Sequence, residues 1–372
     1  DGIRDRDVTG VQTVLFRSMP HVYASCEHDL YLVTGYISAQ ERLWQMDLVR
    51  RSAAGRLSEV FGESFKQADI FTRCLKLYET AGAILDDEDS VIVGCLQSYA
   101  DGVNAFISDA GKRLPVEFRL LSYRPEPWCT EDIASIIGLM GWNLDYRNLT
   151  AELYVQQLIN KFGVEKATEL IPDWNAASEL AYPCQNVNDT ILAVTRSLIS
   201  AYGKIAEIGI PSLTSSNNWA VSGARSETGK PLLSNDMHLS LTSPGIWMQM
   251  HQVIPGKINV TGVLIPGEPM IIAGHNEKIA WGLSNLRVDA VDLFAETINP
   301  ENSGQYLFDG RWREFINRTE IIRQKHGKID TVNIRFTHRG PVVSGFIDLD
   351  SISSEVKWLG FNYLQGLSDL DD

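Results

Sequence analysis

The chain has 372 residues, 44% of them hydrophobic and 22% charged, and its 33 basic and 47 acidic side chains leave a formal net charge of −14. That length exceeds one ordinary domain and suffices for a sizeable core, while so acidic a balance argues against nucleic acid or anionic lipid as the main partner, since both select a basic face. No run of 18 apolar residues occurs, so no transmembrane helix is expected.

The opening DGIRDRD carries neither a start methionine nor a signal-peptide pattern, as expected where a targeting segment has been removed or lies outside the chain. Residues 35–55, GYISAQERLWQMDLVRRSAAG, are predicted to form a helix whose tail carries Arg50 and Arg51, with Arg56 just beyond. From Ser90, the apolar residues Ile92, Cys95, Leu96, Tyr99, Val103, Phe106 and Ile107 follow a 3.6-residue period, with Ser90 as the predicted N-cap. Thr150 is predicted to cap a further helix, TAELYVQQLINKF, that buries Tyr154, Leu158, Ile159 and Phe162 and stops at Gly163. The stretch from Pro183 to Ser215 reads as a helix followed by a linker.

After Ser216 the texture changes. NNWAVSG, PLLSND, GIWMQMHQVI, KINVTGVLI and PMIIAG are short apolar runs divided by Gly, Pro and Asn-Asp signals, which predicts strands, and HNEK at 275–278 is a predicted hairpin turn. A helical first half and a strand-rich second half give an α+β layered protein. The expected organisation is a helical region at 1–185, a spacer at 186–215 and a strand-rich region at 216–372.

Several chemistries lack their signatures. The seven histidines form no HExxH, GxSxG is absent, and so are the P-loop and an acid-supported GxGxxG. The five cysteines, Cys26, Cys74, Cys95, Cys129 and Cys184, form no CxxC pair and read as buried or incidental thiols. No organic cofactor is implied.

What remains is TSSNNWAVSG at 214–223. A hydroxyl cluster stands there before a predicted strand, and His238 follows 22 residues after Ser216 in LLSNDMHL. Then come GVLIPGEPMIIAGHNEKIAWGLSN and VDAVDLFAE, while MPHVYAS, GYISAQERLWQMDLVRRSAAGRLSEVFG and THRGPVVS flank them. In this order the motifs resemble the penicillin acylase (penicillin amidase) family of N-terminal nucleophile hydrolases. The resemblance implies a four-layer αββα sandwich, of which this chain supplies the helical part and some of the strands. It also implies a longer proenzyme, because relatives take a second oxyanion donor and an arginine from positions downstream of where this chain stops. The chain by itself is therefore expected to be inactive.

The chemistry fits a residue that becomes a chain terminus. A serine hydroxyl is a poor nucleophile until a base takes its proton. A free α-amine titrates at about 7.7–8.0 and can be that base, but Ser216 has one only if the Ser215–Ser216 bond is cut. By resemblance, His238 orients nucleophile and substrate, although Met237 replaces the proline usual before it, and the backbone N–H of Asn285 is an oxyanion donor. The resemblance also implies an acyl pocket lined by Trp142, Asp145, Tyr146, Leu239 and Ala273, where Asp145 is unexpected for an apolar acyl group. By the same resemblance, Glu152, Asp289, Val291 and Asp292 are the expected ligands of a structural Ca²⁺, whose preference for hard oxygen donors they suit. The resemblance further implies a bacterial periplasmic or secreted protein whose two cleaved chains form a heterodimer. Its substrate is expected to be a small N-acyl amide, such as a β-lactam with an amide side chain. The alternatives are an N-acyl-homoserine lactone acylase and a catalytically inactive relative.

Overall fold

The computed structural model describes residues 12–16, 19–170, 203–205, 208, 213–285, 291–342 and 352–356; at 12–16, 145–153, 168, 213–215, 291–293, 295 and 352–356 the description is of the backbone. Much of the expected spacer and the whole 286–290 segment lie outside these residues, as do Cys184 and Asp289.

The first described elements are the strands of a hairpin, β1 (Gln12–Phe16) and β2 (Met19–Tyr23), inside the region expected to be helical. Eight helices follow among the described residues: α1 (Glu27–Ala53), α2 (Ser58–Phe61), α3 (Lys66–Leu75), α4 (Leu77–Asp87), α5 (Ser90–Ala110), α6 (Val116–Leu120), α7 (Thr130–Phe162) and α8 (Val164–Leu170). The remaining described strands are β3 (Leu213–Val221), β4 (Leu232–Leu239), β5 (Met248–Ile254), β6 (Ile258–Leu264), β7 (Ala273–His275), β8 (Ala280–Trp281), β9 (Val291–Ala295), β10 (Ile298–Asn299), β11 (Asn302–Phe308), β12 (Arg311–Glu314), β13 (Ile316–Arg323), β14 (Ile329–Phe336) and β15 (Ile352–Val356). The result is the expected α+β architecture.

A six-stranded sheet, β1-β2-β5-β6-β7-β8, joins the two halves of the chain, with β2 and β5 parallel and the other neighbours antiparallel. One face is covered by α1, where Leu30, Val33 and Ile37 pack on Val22, Met248, Met250, Leu264 and Ile271. Fully burying each such aliphatic side chain contributes about 1.5–3 kcal/mol. The other side of α1 meets α5 at close range. A Cβ on Gly35 would fall 2.1 Å from the Tyr99 carbonyl oxygen, and one on Gly102 would fall 1.8 Å from that of Leu32, so only glycine permits this approach.

At its C-terminal end α1 is fastened by charge. Asp47 accepts from Arg50 and Arg51 and from Tyr123 Oη. Arg50 also reaches Asp132 on α7, and Arg51 reaches Glu59 on α2. Asp69 on α3 takes the backbone N–H groups of Leu57 at 2.8 Å and Ser58 at 2.7 Å, satisfying the start of α2. Burial outweighs these bonds and pushes the Asp69 carboxyl up to about 6.

Three local expectations are corrected. The α5 cap is Asp89, whose carboxylate accepts from the Val91 N–H, and Ser90 is the first helical residue. Thr150 starts no helix, because α7 runs unbroken from Thr130 to Phe162 and packs on α1, α4 and α5. Its end at Gly163, with φ 80°, is as expected, but Tyr154 is 64% and Phe162 43% exposed, while Leu158 and Ile159 are only half-buried. Cys74 is the buried thiol; Cys26 is exposed, Cys95 and Cys129 are intermediate, and all four are free. The HNEK hairpin forms as predicted, joining β7 to β8, with Asn276 Oδ1 accepting from the N–H groups of Lys278 and Ile279.

Candidate functional site

Ser215 and Ser216 lie inside β3, not ahead of a strand. β3 pairs antiparallel with β4, with Ser215 opposite His238, Ser216 opposite Met237, Asn217 opposite Asp236 and Asn218 opposite Asn235. Side chains alternate between faces along a strand, and directly opposed residues share a face. Ser216, Asn218, Asn235 and Met237 therefore lie on one face, and Asn217, Asp236 and His238 on the other.

Residues 282–285, which follow β8, are held against the Ser216 face by two asparagines. Asn218 Nδ2 donates to the Gly282 carbonyl at 2.8 Å. Asn235 brackets Leu283, donating from Nδ2 to its carbonyl at 2.8 Å and accepting its N–H on Oδ1 at 3.0 Å. Gly282 must lack a side chain, because a Cβ there would lie 2.7 Å from Asn235 Cβ.

This stitching brings the backbone N–H of Asn285 to the Ser216 hydroxyl, to which it donates at 3.1 Å. Ser216 Oγ in turn donates to Ser284 Oγ at 3.3 Å. The Asn285 side-chain amide donates to the Leu144 carbonyl at 3.4 Å, which brings α7 beside Asn285. A backbone N–H beside a serine oxygen is a donor that an acyl carbonyl carried on Oγ could reach.

The other sequence-predicted residues are dispersed. His238 is not brought to the Ser216 face; its Nε2 lies 3.0 Å from Asp236 Oδ2 and 3.4 Å from the Asn217 amide. Leu239 is half-buried at the end of β4, and Ala273 is buried at the start of β7. Trp142 is buried in the helical core against Phe71. Asp145, Tyr146 and Glu152 fall on α7, where only the backbone is described. Val291 and Asp292 open β9, which packs against α7. Elements bearing three of the four proposed calcium donors are thus adjacent, and carboxylate and carbonyl oxygens suit Ca²⁺. Asn218, Asn235, Gly282 and Ser284 were not singled out from sequence; the one available signal was their position inside the motif runs around Ser216 and AWGLSN.

The model of the penicillin amidase family matches residues 17–370. The chain belongs to the penicillin amidase family. Among curated penicillin amidase relatives, it is 31% identical over 331 residues to the acyl-homoserine lactone acylase QuiP of Pseudomonas aeruginosa, covering 88% of this chain and 39% of that protein. It is 31% identical over 347 residues to the penicillin acylase 2 proenzyme of Pseudomonas sp. strain SE83, covering 88% and 42%. With penicillin G acylase of Escherichia coli it shares 28% over 383 residues, covering 87% and 44%. The chain thus spans about two fifths of the length of these relatives. A solved thermostable penicillin G acylase from Alcaligenes faecalis, in its tetragonal form, matches 48% of this chain and 94% of that one at 26% identity and a TM-score of 0.38.

Proposed function

We propose that the protein hydrolyses N-acyl amides through an acyl-enzyme on Ser216, after self-cleavage of the Ser215–Ser216 bond. The observation that carries this reading is the hydrogen bond from the Asn285 N–H to Ser216 Oγ at 3.1 Å.

In maturation, Ser216 Oγ attacks the Ser215 carbonyl carbon. The C–N bond breaks, the Ser215 acyl group passes to Oγ as an ester, and the nitrogen becomes the free α-amine of Ser216. Water then opens the ester. In catalysis that amine accepts the Oγ proton while Oγ attacks the substrate carbonyl. The Asn285 N–H donates to the resulting oxyanion, and Asn218 and Asn235 hold the backbone from which it projects. The proton passes to the departing amine, and water hydrolyses the acyl ester. His238 acts from the opposite face of β4, as a positioning residue for Asn217 beside the nucleophile. The acyl pocket is assigned to the border of α7 at Trp142, Asp145 and Tyr146 with Leu239 and Ala273.

The names of the relatives support both a β-lactam side-chain amide and an acyl-homoserine lactone as substrate, and the two share the scissile N-acyl bond. Structural Ca²⁺ is assigned to Glu152, Asp289, Val291 and Asp292; when bound it would tie α7 to β9 by charge. Cleavage would leave two chains as a heterodimer, and export to the periplasm or exterior accords with the family resemblance. Among the described residues no helix is long and apolar enough to cross a membrane.

The test is a panel of chromogenic N-acyl amides of varied acyl length, alongside acyl-homoserine lactones, offered to the full-length protein and to Ser216→Ala. Turnover with a mass increment on the Ser216 peptide supports the reading. Equal turnover in Ser216→Ala rejects it.

A further inference from the structure

The six-stranded sheet carries a second ordered cluster, unrelated to Ser216. His21 on β2 stands directly opposite His251 on β5, His251 opposite Thr261 on β6, and Thr261 opposite His275 on β7. The imidazoles of His21 and His251 meet edge to face, with their Nδ1 atoms 2.9 Å apart. Both side chains are half-buried, on the sheet face opposite to the one α1 covers.

The protonation of this pair follows from its neighbours. Asn259 Nδ2 donates to the Glu277 carboxylate, which can only accept, so Asn259 Oδ1 is the atom turned to His251. It accepts from His251 Nε2 at 2.8 Å, so that nitrogen carries a hydrogen. In the neutral ring, His251 Nδ1 is then a bare lone pair, aimed at His21. The arrangement Glu277, Asn259, His251 is the kind of outer chain that orients a metal-ligating histidine, with one ring nitrogen donating outward and the other left basic.

We propose that His21 and His251 bind one divalent transition-metal ion through their two Nδ1 atoms, replacing the proton they share. Two nitrogens 2.9 Å apart on bonds of about 2.0–2.1 Å subtend about 90° at the metal. That is the angle of tetragonal nitrogen sites for Cu²⁺ or Ni²⁺, and it is narrower than tetrahedral Zn²⁺ adopts. Among the described residues no group of three His, Cys, Asp or Glu side chains converges to hold a metal. The two imidazoles are the ligands proposed, with water completing the shell. It differs in chemistry from the calcium set, whose donors are all oxygen. Because β2 joins the described strands of the second half through its parallel pairing with β5, the ion would clamp the N-terminal hairpin in place.

The experiment is a titration of full-length, untagged, chelator-stripped protein with Cu²⁺ alone, followed by calorimetry and electron paramagnetic resonance. Wild type should bind one Cu²⁺ with hyperfine coupling to two nitrogens. His21→Gln and His251→Gln should each abolish that two-nitrogen signal, and His275→Gln should leave it intact. Asn259→Leu spares both ligands and only releases the ring, so its affinity should fall by about 10–100-fold. An unchanged signal in His21→Gln and His251→Gln would overturn the proposal, as would wild type showing no nitrogen-coupled Cu²⁺.

Discussion

Replacing Asp47 by Ala should destabilise the fold more than any single surface change. Its carboxylate is fully buried and accepts four hydrogen bonds, from Arg50 Nε at 2.9 Å and Nη2 at 2.7 Å, Arg51 Nε at 2.9 Å and Tyr123 Oη at 2.7 Å. Three arginines, Arg50, Arg51 and Arg56, face Asp47, Asp132 and Glu59, and the exposed Glu126 adds a fourth carboxylate beside Arg56. Without Asp47, Arg50 keeps Asp132, Arg51 keeps Glu59 and Arg56 keeps Glu59 and Glu126, but the buried Arg50 loses two hydrogen bonds and the buried Arg51 one, and the Tyr123 hydroxyl loses its acceptor. Breaking a buried pair from one side costs about 3–5 kcal/mol, against a total stability of about 5–15 kcal/mol for a typical protein. The acid limb gives a second signature. Burial alone would raise the Asp47 carboxyl, but the charges of Arg50 and Arg51 and the bond from Tyr123 hold it below the usual carboxylate range. A depressed folded value means that its contribution is present above the unfolded pKa of about 3.9 and is lost as pH falls through the folded value. Urea unfolding of wild type and Asp47→Ala at pH 7 and pH 3 is the assay. The variant should lose about 3–5 kcal/mol at pH 7 and show a shallower loss on acidification. A difference under about 1 kcal/mol at pH 7, the range of exposed pairs, would mean that Asp47 does not fasten the end of α1.

Three further outcomes are expected. Asn285→Ala keeps the backbone N–H and should retain most activity, whereas Asn235→Ala releases Leu283 and should lower kcat by about 100-fold with little change in KM; stopped assays of the full-length protein separate the two, and equal losses would move the donor role to the Asn285 side chain. Glu268 is 1% exposed with neither carboxyl oxygen bonded, and burial raises it well above the usual carboxylate range; a raised folded value means stability lost as pH rises toward it, so Glu268→Gln should narrow the fall in Tm between pH 5 and pH 9, and an identical fall in both proteins would contradict this. Glu152→Ala and Asp292→Ala should each lower Tm in calcium and be little affected by chelator, while chelator sensitivity equal to wild type would remove these residues from the calcium set.

Much of this architecture was legible in the residues, for stated reasons. The α5 stripe and the Gly163 stop are local signals that packing reinforces, and the HNEK turn is written in Asn276. Thr150 misled because a capping residue is a local preference, and in α7 burial against α1, α4 and α5 outweighs it. The β1–β2 hairpin was hidden because MPHVYAS is too short to show its period, and its pairing partner β5 lies some 230 residues away. At the candidate site, the 22-residue spacing of Ser216 and His238 says nothing about faces, and the β3–β4 register places them on opposite ones. The two asparagines that position residues 282–285 look in sequence like ordinary turn-forming polar residues. TSSNNW is polar inside a strand because Ser216 and Asn218 turn toward that backbone segment instead of packing in a core.

In the proposed mechanism Ser216 becomes a chain terminus that is both nucleophile and base. Terminal sequencing of the purified full-length product addresses it directly. Two chains are expected, the second beginning Ser216-Asn217-Asn218-Trp219, and one uncut, inactive chain in Ser216→Ala. A second chain beginning at Ser215 or Asn217, or an active protein that remains a single chain, would contradict it.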